Sequence, residues 1–149
     1  MKTAILRHRR ENLKKCSLRG LESRSDLIFY TYPVDPLPDY SSYLLLKVGA
    51  EPLSEADRDR GLFLIDGTWR LAQVMERQLP WKLETRSLPA GYTSAYPRRQ
   101  TGCPDPASGL SSIEALYIAH LLLGRSVENL LDTYHWKHLF LEINDLSHP

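Results

Sequence analysis

The residues best able to do chemistry fall in one short stretch, Leu62-Phe-Leu-Ile-Asp66-Gly67-Thr68-Trp69. Four apolar residues without alternation read as a buried strand. The strand ends on a carboxylate, and a Gly, a hydroxyl and the start of a helix follow. Asp66 then stands at a strand's C-terminal edge, where α/β sheets bind ligands, and near the positive end of a helix. A carboxylate there can hold a cationic group or take up a proton. Trp69 offers a flat apolar wall and one N–H. The same residues also fit a plainer role, in which Asp66 or Thr68 caps the helix and Trp69 fills core.

Two further stretches could contact a ligand. The connection from Leu88 to Leu110 is longer than most loops in a folded domain, and it delivers Tyr96, Arg98 and Arg99 just before a helix. An aromatic ring with paired Arg suits stacking and phosphate contact, although such a Tyr can equally cover core. The run Arg7-His-Arg-Arg-Glu-Asn-Leu-Lys-Lys15-Cys16-Ser17 holds six Arg, Lys or His in eleven residues. Arg7, Arg9, Arg10, Lys14 and Lys15 are candidates for a nucleic-acid backbone, or form a solvated basic surface. Cys16 reads as a small packed residue. His135 and His138 have no third ligand nearby, so no metal site is expected. There is no G-x-S-x-G elbow, P-loop or G-x-G-x-x-G.

The elements that must position these residues alternate. Thr3–Leu6, Leu27–Tyr32, Tyr43–Val48 and Leu62–Ile65 read as strands, with 84–88 a weaker candidate. Ser54 caps a short charged turn. Residues 69–79 place Leu71, Val74, Met75 and Leu79 on one helical face. Ser111-Ser-Ile-Glu114 is a capping box opening a helix over 112–123, with Gly124 at its C-terminal cap; Glu114 is explained by that box rather than as an acid catalyst. Ser126 can cap another short helix, and 136–146 put Trp136, Leu139, Phe140 and Ile143 on one stripe. Strands alternating with helices predict an α/β fold with a mostly parallel sheet in one domain spanning residues 1–149.

Composition narrows the classes. The chain has 149 residues, enough for a core without staples, and only two cysteines, Cys16 and Cys103. That excludes a disulfide framework and points to a reducing, cytoplasmic setting. No apolar run approaches the roughly 20 residues of a membrane helix, and the N-terminus does not read as a signal peptide. The net charge of +1 hides a split: residues 1–24 hold eight basic and two acidic side chains (+6), and residues 25–149 hold eleven and sixteen (−5). A basic arm on an acidic body suits a phosphate-bearing partner.

Taken in order, these segments resemble a known family. Lys14-Lys15-Cys16-Ser17, Leu53-Ser-Glu-Ala-Asp-Arg58, Asp66-Gly-Thr-Trp69, Arg86-Ser-Leu-Pro89, Leu110-Ser-Ser-Ile-Glu-Ala115 and Tyr134-His-Trp136 with Phe140 and Asn144 run collinearly. Together they look like the motifs of the ribosomal RNA aminocarboxypropyltransferases. Asp66-Gly-Thr-Trp69 and Ser94-Ala-Tyr96-Pro-Arg98-Arg99 are also similar to segments of the DTW-domain tRNA enzymes. The resemblance implies a SPOUT-like fold with a trefoil knot near the C-terminus. It implies S-adenosylmethionine as donor, a uridine or modified uridine in rRNA or tRNA as acceptor, and methylthioadenosine as by-product. It implies a donor pocket of Ser17, Leu45, Ile65, Asp66, Thr68, Trp69, Leu88, Leu110 and Ala115, with Asp66 and Trp69 at the reacting centre. Two other readings fit the same residues: a non-catalytic RNA-binding assembly factor, or methyl transfer on the same fold.

Overall fold

The computed structural model describes residues 2–9, 17–96 and 110–146, and of Trp69 the backbone alone. Five strands, β1 (Thr3–His8), β2 (Leu27–Tyr32), β3 (Leu44–Leu46), β4 (Leu62–Asp66) and β5 (Glu84–Arg86), form one sheet in the order β2-β1-β4-β3-β5. Every pairing is parallel. A parallel sheet needs cover on both faces, and the helices α1 (Trp69–Arg77), α2 (Ser112–Leu122) and α3 (Lys137–Ile143) supply it. Strand alternation sorts the core accordingly. Ala4, Leu6, Leu45 and Phe63 pack with Met75 of α1. Ile5 and Leu64 pack with Ile113 and Leu116 of α2 and Phe140 of α3, and Leu44 and Leu62 meet Ala119 and Leu123. Inner strand β1 is buried along its whole length, whereas β5 at the sheet's edge is half exposed.

Several expectations shift in extent. β3 is shorter than 43–48, because Tyr43 closes a turn by donating its N–H to the Tyr40 carbonyl, and Val48 is exposed ahead of Gly49, which has φ +87°. Gly61 is required where the ring of Tyr43 crosses the chain, since a Cβ there would lie 2.4 Å from the ring. Val74, Leu139 and Ile143 are exposed rather than core. Ser126 does accept from the Glu128 N–H, but turns replace the expected helix because Asn129 adopts φ +61°. The Tyr32–Pro33 peptide is cis. The knot implied by the resemblance depends on the course of the chain through 97–109, outside the described residues.

Two of the family-like segments meet here. Asp57, the carboxylate of a capping box with Ser54, also receives Arg86 Nε at 3.3 Å. Leu53 donates its N–H to the Ser87 carbonyl at 2.6 Å, and Ser87 donates back to Glu51 at 2.9 Å. Glu84 takes Arg86 and Arg60 at 2.6 and 3.1 Å, which holds its carboxyl below the usual value. This strut fixes the direction in which Leu88 and Pro89 leave β5.

His120, which the sequence reading passes over, ties α2 to β1. Its Nε2 lies 2.8 Å from the Thr3 hydroxyl and its Nδ1 3.3 Å from the Ser126 carbonyl. The carbonyl can only accept, so Nδ1 carries the proton and Nε2 accepts from Thr3. Burial lowers the His120 pKa from 6.5, and the Arg125 and Arg24 cations push the same way; the Ser126 carbonyl and Asp26 act against them. The unfolded chain then binds more protons than the folded one below pH 6.5, so stability must rise with pH in that window. Thermal unfolding followed from about pH 7.5 to 5 should show Tm falling as pH drops through 6.5. His120→Gln, which cannot ionise, should flatten that part of the slope.

Candidate active site

β1 and β4 are neighbours in register, with Arg7 opposite Asp66. Both are the last residues of their strands that face α2, so they meet at the sheet's C-terminal edge. Asp66 is 5% exposed. Its Oδ1 accepts from the Ser112 hydroxyl at 2.8 Å, and its Oδ2 lies 3.5 Å from Arg7 Nε. The capping of α2 by Ser111 aims Ser112 at the sheet. Ser17 completes the same corner, its Oγ accepting from the Ile113 N–H at 3.2 Å.

Arg7 is expected on the RNA-binding surface, and the structure places it in the interior. It is 8% exposed, its guanidinium lies 4.7 Å over the ring of Phe29, and Nη1 donates to Glu22 at 3.2 Å. Nε and Nη2 are buried without hydrogen bonds. Partial burial pushes the Glu22 carboxyl up, but backbone N–H groups, that of Gly20 among them, and Arg7 outweigh it and hold it below its usual value. Arg7 is thus a buried counter-ion between two carboxylates.

Glu114 builds the second wall. It is fully buried, and its two oxygens accept from the Ser111 and Ala95 N–H groups and from the Ser94 and Tyr134 hydroxyls at 2.6–2.8 Å. Burial and Glu114 together raise the Tyr134 pKa. The hub pins residues 94–96 to α2. Tyr96 is held by its N–H to Ser94, stacks parallel to Tyr134 at 6.4 Å and meets Trp136 edge-on at 5.2 Å. Asn144 closes the same segment through Thr93 at 2.7 and 2.8 Å.

The expected pocket residues therefore divide. Ser17, Asp66, Leu88, Leu110 and Ala115 lie on the α2 side, the two leucines half-buried against that core. Leu45 and Ile65 do not join them: their side chains pack with Phe63, Met75 and Leu71 on the α1 side, because strand alternation turns them away, so only their main chain reaches this edge. Thr68 is an exposed helix cap, accepting from the Leu71 N–H at 3.4 Å. Trp69 begins α1, and its side chain, like Arg10, Lys14, Lys15, Cys16, Arg98 and Arg99, is outside the described residues. Arg9 is exposed after β1. Sequence reasoning missed Leu46, Ser112 and Glu22. Ser112 follows a recognised cap and was within reach, but Glu22 had no local signal. Among the described residues no group of three or more His, Cys, Asp or Glu is placed to hold a metal ion, and no helix is long and apolar enough to cross a membrane.

A parallel sheet covered by helices on both faces, with a buried carboxylate at its C-terminal edge beside a serine-capped helix, makes this an α/β protein whose sheet edge is the place where such folds bind ligands. No family model and no curated protein matches the chain. Among solved structures it is similar to the SAM-dependent rRNA:acp-transferase Tsr3 from Vulcanisaeta distributa, with 26% sequence identity and a TM-score of 0.74 over 97% of this chain and 78% of that one.

Proposed function

We propose that the chain transfers the 3-amino-3-carboxypropyl group of S-adenosylmethionine to a base nitrogen of a uridine or modified uridine in RNA, rRNA being the favoured class, and releases methylthioadenosine. The observation that carries this reading is the fold shared with an rRNA acp-transferase over nearly the whole chain. The edge chemistry supports it. An adenine and a thioether want apolar walls, which half-buried Leu46, Leu88 and Leu110 can provide, with Ser17 and Asp66 as polar anchors. A carboxylate at this edge suits a donor that carries a sulfonium and an ammonium.

The donor supplies a carbon bonded to a positive sulfur. The acceptor nitrogen bonds to that carbon while the carbon–sulfur bond breaks, and its electron pair stays on sulfur. The acceptor's imide proton must then leave, and in this reading the Asp66 carboxylate takes it. Holding carbon and nitrogen in line supplies much of the acceleration, so the walls matter as much as the carboxylate.

The test is incubation with carboxyl-labelled S-adenosylmethionine and separated RNA pools. Label retained in rRNA is expected, with methylthioadenosine released. Label in tRNA would move the acceptor to the class of the DTW-like segment Ser94–Arg99. Salt-sensitive RNA binding without either product would favour the assembly factor, and a methyl-sized mass gain in RNA would favour methyl transfer. Charge reversal at Arg9 and Arg10 should weaken RNA binding and spare donor affinity measured by calorimetry; equal loss of both would make the arm structural.

A further inference from the structure

Outside the edge just described, the face of α1 turned away from the sheet stands out. Residues 25–149 carry a net charge of −5, yet the stretch 69–83 holds Arg70, Arg77 and Lys82 against the single acid Glu76. Arg70, Gln73 and Arg77 fall at i, i+3 and i+7, one helical stripe, and all three are exposed. The stripe starts one turn from Asp66 and runs from Arg70 to Arg77, about 10 Å at 1.5 Å per residue. It ends at an open groove of about 530 Å³ lined by Lys47, Glu76, Arg77, Pro80, Trp81 and Lys82, with leucines among its remaining walls. The indole of Trp81 is half-buried, braced edge-on by Tyr40 at 6.2 Å and Phe63 at 6.4 Å. Lys47 bonds Glu76 at 2.9 Å, which neutralises the one acid in the groove.

We propose that this stripe and groove form a track for a single-stranded segment of the RNA, flanking the nucleotide presented at the Asp66 edge. Arg70, Arg77 and Lys82 contact successive phosphates, and a base enters the groove against Trp81. The inference rests on RNA being the partner. Its physical content is the match of an exposed cationic row to a polyanion and of a braced indole in a cation-lined groove to a base's π-face, the two parts of single-strand recognition. A duplex would meet the row but could not insert a base.

The experiment measures binding of labelled single-stranded oligouridine, and of its duplex with oligoadenine, over a series of salt concentrations. The wild-type protein should prefer the single strand. The triple reversal Arg70→Glu, Arg77→Glu, Lys82→Glu changes exposed residues only. It should weaken single-strand binding more than about 10-fold and lower the slope of log K against log salt by about 2, as expected for three lost phosphate contacts. Trp81→Leu should cost about 10-fold with little change in slope. Donor binding by calorimetry should be unchanged in the triple variant. Unchanged affinity and slope in that variant would overturn the track, as would equal competition by polyglutamate, which would mark a general polyanion surface. Failure of the functional reading looks different: the track's signature would be present while no methylthioadenosine is released.

Discussion

Asp66→Asn should lower turnover of group transfer by about 10²–10⁴-fold, the range of a lost general base, while donor affinity changes by less than about 10-fold. The substitution keeps the shape and an oxygen that the Ser112 hydroxyl, now 2.8 Å away, can still donate to. Arg7 keeps Glu22 as its counter-ion, so the corner retains one compensated charge. What is removed is the carboxylate's ability to take a proton at the edge where the acceptor nitrogen would lie. Rates of methylthioadenosine release at saturating donor, set beside calorimetric donor affinities, separate the two roles open to this residue. If Asp66 only holds the donor's ammonium, affinity falls and saturating donor restores turnover. Ser112→Ala removes one orienting hydrogen bond and leaves the base in place, so its loss of turnover should be far smaller.

Local pattern carried most of the elements. β1 to β4 and the helices α1, α2 and α3 fall where apolar patterns and caps put them, because a doubly covered parallel sheet writes itself as unbroken apolar stretches and Ser111 with Glu114 marks a helix start unambiguously; β5, Glu84-Thr-Arg86 at the sheet's edge, carries no apolar run. What local pattern does not carry is nearly always a question of neighbours. Arg7 reads as part of a basic surface run, and its burial follows from β1 lying inside the sheet between β2 and β4, with Glu22 arriving from the β1–β2 connection. None of that has a local signature. Leu45 and Ile65 were grouped with Asp66 by resemblance, whereas period-two alternation alone would have put Ile65 on the opposite face from the adjacent Asp66. Val74, Leu139 and Ile143 sit on apolar stripes wider than the faces the sheet could cover. His120 looked like one more residue of an apolar helix, and only the approach of Thr3 and Ser126 gives it a role. The cap reading of Glu114 was right and incomplete, since the Ser94, Ala95 and Tyr134 donors come from two other segments.

That incompleteness sets the second large effect. Glu114→Ala should destabilise the protein by about 4 kcal/mol, because it strands four donors inside the core, each costing on the order of 1–3 kcal/mol before relaxation and water entry recover part of it. At this chain length that corresponds to a Tm lower by roughly 10–15 °C, a large share of a typical stability of 5–15 kcal/mol. Glu114→Gln should fall between the two. Its carbonyl keeps one side of the hub, but its NH₂ must face either the Ser111 N–H or the Ala95 N–H and Tyr134 hydroxyl, so one side opposes donor to donor. Thermal unfolding gives the order Glu, Gln, Ala; a drop of under about 3 °C for the alanine variant would mean that the hub is dispensable. The effect should reach beyond stability. Ser94 and Ala95 are the residues that hold Tyr96 against Tyr134 and Trp136, so the Gln variant, folded at low temperature, should keep Asp66 in place and still transfer poorly. Its donor affinity should weaken together with its turnover, the opposite of the split expected for Asp66→Asn, because here the wall moves and the base does not.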